Sequence, residues 1–352
     1  MHRWNVRDGN ENDMEGIFSL RNDAFGEMEK DKLDPRLWRW EFMEGPDGKA
    51  LIYIVDDGGK IVGHFADIPR RFSIHGKEVL GTLSVDLMVH SDYRRRGIFE
   101  AMGRYAAQRV KRENGVFMMA YPIRPETIQG LRKIGWKEIT ELPVLVYPIK
   151  FTGIVKRYLH FLLISLLIGG IARFLYDLLF FMRRKGEKEG IEIEKVDQLD
   201  NQFEQFCEKA LSLYSIMGMR NRNYLTWRYL RHPKRTYNIY RAMEKGKMKG
   251  YIVLRKVSLL DFNSAVIVDL LAMGEEALNA LLKKGIDHSR REGVDLLGFM
   301  VPKLHPYYCL LRRYGFLPSP KAFLFMIYPQ EEGQGLLDPK GWYVTWGDTD
   351  VI

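Results

Sequence analysis

The sequence predicts an α/β fold built as two similar lobes, each a mixed, mostly antiparallel sheet flanked by helices, joined by an apolar helical linker. Three observations carry this expectation. First, four short motifs recur in the same order in the two halves of the chain. Trp38-Arg39 returns as Trp227-Arg228, "GKIVG" (59–63) as "GKMKG" (246–250), "SVDLM" (84–88) as "IVDLL" (267–271), and "LRKIGW" (131–136) as "LRRYGF" (311–316), with offsets falling from 189 to 180 residues. Second, each half runs from a β meander into strand–helix–strand–helix, the pattern of an α/β sandwich. Third, 352 residues is long for a single core, while 46% hydrophobic and 28% charged residues are ordinary for a globular chain. The expected division is a first lobe over 1–149, a linker over 150–189, a second lobe over 190–330 and a tail over 331–352.

The elements of the first half follow in order. Asn12 to Phe25 and Pro35 to Glu44 have helical spacing, with Asp13 early in the first and Pro35 suited to a first helical turn. "ALIYIVDDGGKIVGHFADI" is two apolar runs joined by Asp57-Gly58-Gly59, a hairpin signal. His75-Gly76 marks another turn before the long strand that ends in "SVDLMVH". A helix follows from Gly97 to about Glu113, then the buried strand "VFMMAY", then a helix closing near Ile134 with Gly135 where a C-terminal glycine belongs.

The junction "HSDYRRRGIFEAM" carries chemistry. Arg94, Arg95 and Arg96 stand directly before Gly97 and a helix start. Arginines beside the unpaired N–H groups of a helix N-terminus make a seat for an anion, most often a phosphate. A solvated basic turn is the alternative that these residues alone leave open. The net charge of +9 also favours an anionic partner. Cys207 and Cys309 are the only cysteines, so neither a disulfide framework nor a cysteine metal site is expected.

"VHSDYRRRGIF" resembles the signature of the GNAT superfamily of acyl-CoA-dependent N-acyltransferases, Val-x-Pro-x-Tyr-Arg-x-x-Gly-x-Gly/Ala, at the passage from the fourth strand into the third helix. Val89, Tyr93, Arg94 and Gly97 match, while Ser91 takes the proline place and Phe99 the last small-residue place. The resemblance covers about residues 2–149 and, through the repeat, extends more weakly to 190–330. Two such lobes and a specific tail are similar to the Eis-type (enhanced intracellular survival) group without its third domain. The resemblance implies acetyl-CoA or another acyl-CoA as cofactor and no metal. It assigns the pyrophosphate to the backbone N–H groups of Arg95, Arg96, Gly97, Ile98 and Phe99, with Arg94 and Arg96 adding charge, and the pantetheine arm to Leu87, Met88 and Val89.

The acid/base residues that such enzymes use are not where the resemblance expects them. The strand positions for a base hold Leu83 and Val85, and the place of a tyrosine acid holds Leu131. Asp86 in the fourth strand and Tyr121 at the end of the fifth are the catalytic candidates, with His64, Asp67 and Glu126 behind them. Alternation turns Asp86 away from Val85 and Leu87 unless a bulge intervenes. In Eis-type enzymes the C-terminal carboxylate serves as base, which by resemblance brings in Ile352 or the neighbouring Asp348 and Asp350. The aromatic tail "GWYVTWGDTDVI" is expected to dock.

The second copy lacks the phosphate loop, with Glu275 and Glu276 near where the first has arginines; two carboxylates repel a pyrophosphate. Between the copies, Tyr158 to Met182 is strongly apolar, with Lys156-Arg157 before it and Arg183-Arg184-Lys185 after. The uncharged run from Arg157 to Arg173 is shorter than the roughly 18 residues of a spanning helix. An interfacial contact with anionic lipid fits it, and so does a helix buried in the core or shared with a second copy. The expectation is an N-acyltransferase, active in its N-terminal lobe on a small-molecule or peptide amine, in the cytoplasm or at the inner membrane face. A non-catalytic acyl-CoA-binding regulatory protein is the alternative. A transferase of amino acids from charged tRNA is less favoured, and the clustered arginines form no stripe for nucleic acid.

Overall fold

The structure, a computed structural model, describes residues 4–151, 170–171, 174–176, 190–331, 333 and 335–350. The first half opens with a short strand β1 (Arg7–Asp8), helices α1 (Met14–Phe25) and α2 (Pro35–Phe42), and the meander β2 (Leu51–Asp57), β3 (Lys60–Ile74) and β4 (Lys77–Val89). Helix α3 (Ile98–Arg112), strand β5 (Gly115–Ala120), helix α4 (Pro125–Lys133) and strand β6 (Lys137–Pro148) follow. The punctuation read from sequence is the punctuation used. Asn10 caps the entry to α1 in a capping box with Asp13, Pro35 opens α2 behind the Asp34 cap, and Gly135 sits at φ +106 after α4.

The second half repeats the order as β7 (Ile191–Val196), α5 (Asn201–Ala210), β8 (Ile216–Gly218), the single turn α6 (Arg222–Leu225), then β9 (Asn238–Glu244), β10 (Lys247–Leu259) and β11 (Phe262–Ala272). It closes with α7 (Glu275–Arg291), β12 (Leu296–Met300), α8 (Pro306–Tyr314), β13 (Leu317–Pro329) and a short β14 (Trp342–Tyr343). The hairpin, central-strand and helix-end motifs of the repeat fall on matching elements, and Gly315 repeats the left-handed turn of Gly135 at φ +111.

Compact units do not follow chain order. The first comprises Met1–Thr140, Ser215–Arg235 and Leu324–Gly341; the second comprises Glu141–Tyr214, Thr236–Phe323 and Trp342–Ile352. The consecutive blocks expected from the sequence are therefore interleaved. The physical reason is strand pairing: a β5 edge left unpaired would expose its backbone groups, and Met326–Pro329 of β13 covers it antiparallel, Met326 opposite Ala120. In the second unit Val144–Pro148 of β6 covers β12 in the same way. The predicted linker lies mostly outside the described residues.

In the first unit the sheet order is β1-β2-β3-β4-β5 followed by the end of β13. Helix α3 lays Ile98, Met102, Ala106 and Val110 over Tyr53, Val55, Phe65 and Met118. Truncating one such side chain to alanine typically costs 2–5 kcal/mol. In the second unit α7 buries Leu278, Leu281, Leu282 and Ile286, and Phe203 and Phe206 of α5 meet Tyr251.

Candidate functional site

Strands β4 and β5 run parallel only as far as Leu83 opposite Met119. Beyond that point β4 continues to Val89 while β5 ends at Ala120, so the two strands part. The parting is prepared by a bulge. On β3 the register moves from His64 opposite Met88 to Ala66 opposite Val85, which sets Asp86 and Leu87 against the single residue Phe65. Asp86 takes φ +56 there, a left-handed conformation that aspartate tolerates better than most residues.

The opening leads into a cleft of about 570 Å³, within the usual range for ligand sites. Leu87, Met88 and Val89 form one wall, Ala24 and Phe25 of α1 another, and α4 a third through Glu126, Gln129, Gly130 and Lys133. The floor is the loop Tyr93–Arg95 and the first turn of α3. Arg95 at φ +62 and Gly97 at φ +83 bend the chain so that α3 starts at the cleft, and the N–H groups of its first turn have no partners within the helix. Four lining residues are cationic (Arg94, Arg95, Arg124, Lys133) and two acidic (Glu100, Glu126).

The loop is tied at both ends. Asp23, beside Ala24 and Phe25, accepts from the Ser91 N–H at 3.0 Å and the Ser91 hydroxyl at 3.1 Å. Partial burial works against ionisation, but these two bonds hold its carboxyl below the usual range. Tyr93 donates to Asp57 at 2.8 Å, and Trp4 Nε1 donates to the Arg96 carbonyl at 2.8 Å. The Asp23 tie went unnoticed in the sequence; its one signal is the serine standing where the resemblance expects proline.

The predicted cofactor residues come together here, with one distinction. Arg94 and Arg95 line the cleft, whereas the Arg96 guanidinium lies over the Tyr93 ring at 5.1 Å. Phe99 also lines the cleft. Its ring rests on the α4 backbone at Gly130, where an added Cβ would stand 2.6 Å from it.

The predicted catalytic residues do not gather in the same way. Asp86 is 5% exposed and paired with Arg21 of α1, itself 3% exposed, and with Lys32 Nζ at 3.0 Å. Burial would raise its carboxyl, but Lys32 and Arg21 hold it well below the usual carboxylate range. It does not line the cleft; its neighbour Leu87 does. Tyr121 is buried, stacked on Phe325 at 5.3 Å, with its hydroxyl 3.8 Å from the Met119 sulfur. Ile352 lies outside the described residues.

His64 donates from Nδ1 to the Asp86 carbonyl at 2.8 Å, leaving a buried Nε2 with no hydrogen-bond partner. Burial pushes its pKa down to about 4. Asp67 accepts from Tyr53, Thr82 and Ser84 at 3.0, 3.0 and 2.5 Å, and burial pushes it up to about 6. Both side chains hold strands together.

The second unit shows the contrast. Helix α7 starts with Glu275 and Glu276 in its first turn. Leu270, at the place of Leu87 in the repeat, is fully buried, and its carbonyl accepts from Tyr343 of the tail. Thr345 donates to Asp269 at 3.2 Å, and Asp348 accepts the Thr345 N–H at 2.8 Å in a capping box. The tail thus docks, and Asp348 is spent in fixing it. Among the described residues no group of His, Cys, Asp and Glu has the arrangement of a metal site.

Residues 5–139 match the family model of the acetyltransferase (GNAT) domain. No curated protein matches the chain by sequence. Among solved structures, a GCN5-related N-acetyltransferase from Anabaena variabilis is similar at TM-score 0.68 and 13% identity, over 95% of this chain and 74% of its own. N-myristoyltransferase of Saccharomyces cerevisiae, solved with myristoyl-CoA, gives 0.60 at 12% identity over 94% and 79%. A tandem GNAT protein from the clavulanic acid biosynthesis pathway gives 0.56 at 14% identity over 94% and 99%. At such identities the likeness is one of fold, and it is the fold of two GNAT lobes.

Proposed function

We propose that this chain, with its acetyltransferase (GNAT) domain at residues 5–139, moves an acyl group from acyl-CoA, acetyl-CoA foremost, to an amine acceptor, with the chemistry in the N-terminal lobe. The observation that carries the reading is the cleft between the parted strands, floored by a helix N-terminus and by Arg94 and Arg95. A pyrophosphate on that floor would take charge-assisted hydrogen bonds, roughly twice as strong as neutral ones. The β4 wall at Leu87–Val89 offers apolar side chains and backbone to an extended pantetheine. Acyl-CoA supplies the activated thioester; the protein's part is to hold it, orient it and admit the amine. The amine must arrive or become unprotonated, and the carboxylates that line the cleft are Glu100 and Glu126. Asp86 and Tyr121 enter this reading without an acid/base role, since both are engaged elsewhere.

Calorimetric titration with acetyl-CoA tests it. Wild type is expected to bind one equivalent. Arg94→Glu/Arg95→Glu should weaken binding by about 30-fold, from lost charge-assisted bonds and added repulsion, while Arg96→Glu should cost less than about fivefold. Absence of wild-type binding would overturn the reading. A second variant probes Phe99. Gly130→Ala should leave the melting temperature nearly unchanged, because alanine favours the helix, yet weaken acetyl-CoA binding by about fivefold as the ring is pushed toward the cleft. Unchanged affinity would mean that Phe99 has room elsewhere.

A further inference from the structure

Nine large apolar residues are exposed among the described residues, and three of them, Ile171, Phe174 and Leu175, fall within five positions. Scattered apolar residues on a surface need no explanation; a cluster does. These positions are helical, and the spacing i, i+3, i+4 puts them on one face. They are 61%, 67% and 51% exposed. The next residue, Tyr176, turns the other way and is 6% exposed. Its hydroxyl donates to the Gly315 carbonyl at 2.6 Å, and its ring meets Tyr147 at 5.6 Å and Phe151 at 5.3 Å. The segment is thus fastened to the second unit by one side and shows an apolar face to solvent on the other, the reverse of an ordinary surface helix.

The sequence around this face indicates what covers it. It belongs to the apolar stretch 158–182, bracketed by Lys156, Arg157, Arg183, Arg184 and Lys185 in a chain of net charge +9. Apolar side chains to enter the acyl boundary and basic residues at the headgroups are the two attractions that hold a protein on an anionic bilayer. A second copy of this chain would bring the same positive flanks into opposition, and the uncharged run between Arg157 and Arg173 is shorter than a spanning helix needs.

We infer that the face of Ile171, Phe174 and Leu175 is a docking surface for an anionic phospholipid bilayer, seating the second unit on the membrane surface. This does not depend on the acyl-transfer reading, and either stands if the other fails.

Sedimentation with vesicles tests it. Wild type should bind phosphatidylcholine vesicles containing phosphatidylglycerol at least tenfold better than phosphatidylcholine alone, and should be released by salt. Phe174→Glu/Leu175→Glu should lose more than tenfold of that binding with its melting temperature unchanged, since both side chains are exposed. Binding that the variant keeps, or no binding by wild type, overturns the inference. So does light scattering that shows a wild-type dimer and a monomeric variant, which would give the face to a second copy.

Discussion

Asp86→Ala is expected to destabilise the protein by roughly 3–5 kcal/mol, the usual result of removing one partner from a buried ion pair. In a unit of this size that is a fall in melting temperature on the order of 10 °C. Arg21 has almost no access to water, so solvent cannot replace the carboxylate that its guanidinium loses. Lys32 Nζ loses the same partner at 3.0 Å. Alanine also tolerates φ +56 less well than aspartate. Asp86→Asn separates charge from shape: it keeps the left-handed backbone and one acceptor oxygen but removes the negative charge that both cations face. Thermal unfolding of both variants, beside turnover per folded molecule, decides the role of this residue. A holding role predicts unstable variants whose folded fraction retains turnover within a few-fold. A stable Asp86→Asn with turnover lost by a hundredfold or more would return Asp86 to the position of base.

The holding role has a consequence for the cleft. The bulge at Asp86 parts β4 from β5 and brings Leu87 to the cleft wall, and the Arg21–Asp86–Lys32 cluster fixes that bulge from the α1 side. Asp23, near the end of the same helix, fixes Ser91 at the start of the arginine loop. One helix therefore sets both the strand and the loop against which an acyl-CoA would lie. Changes in α1 should alter cofactor affinity although Arg21 and Asp23 do not line the cleft.

Much of this was legible in the sequence because the signals are local. Asp57-Gly58-Gly59, His75-Gly76, Gly97 and Gly135 each encode a backbone turn in one or two residues, and the repeat doubled the evidence for the element order. The arginine loop was legible because a helix start, a glycine and clustered charge need only adjacent residues. The bulge was not: its cause is a set of partners, Arg21 and Lys32, that stand 65 and 54 residues from Asp86. Nor was the exchange of strands, since "FLFMIYP" is an apolar run that fits either sheet edge. The seat of the Phe99 ring was not legible either, because only the fold brings Gly130 beneath it.

Acidification from pH 7 to pH 5 is expected to weaken the fold, and two buried histidines should dominate the loss. Burial holds His64 at about 4 and His305 at about 3, both below the ordinary value near 6.5. The unfolded chain then binds protons that the folded chain refuses, so stability present above pH 6.5 is lost as pH falls toward the folded values. By pH 5 each histidine costs roughly 2 kcal/mol. Asp67 acts with the opposite sign. Its carboxyl is raised to about 6, so its contribution is present below about pH 4 and lost as pH rises through 6; acidifying to pH 5 returns roughly 1 kcal/mol. Urea unfolding at the two pH values should therefore show a drop about 2 kcal/mol smaller in His305→Asn than in wild type. Asparagine keeps an acceptor for the Tyr307 N–H that His305 Nδ1 now caps at 3.1 Å, so the pH-independent cost of the change stays small. In Asp67→Asn the drop should grow by about 1 kcal/mol. His305 packs against Tyr343 at 5.0 Å, the tail residue that covers Leu270, so protonating it would loosen the tail first. An equal drop in wild type and His305→Asn would mean that this histidine reaches water in the folded protein, and that Tyr343 does not shield it.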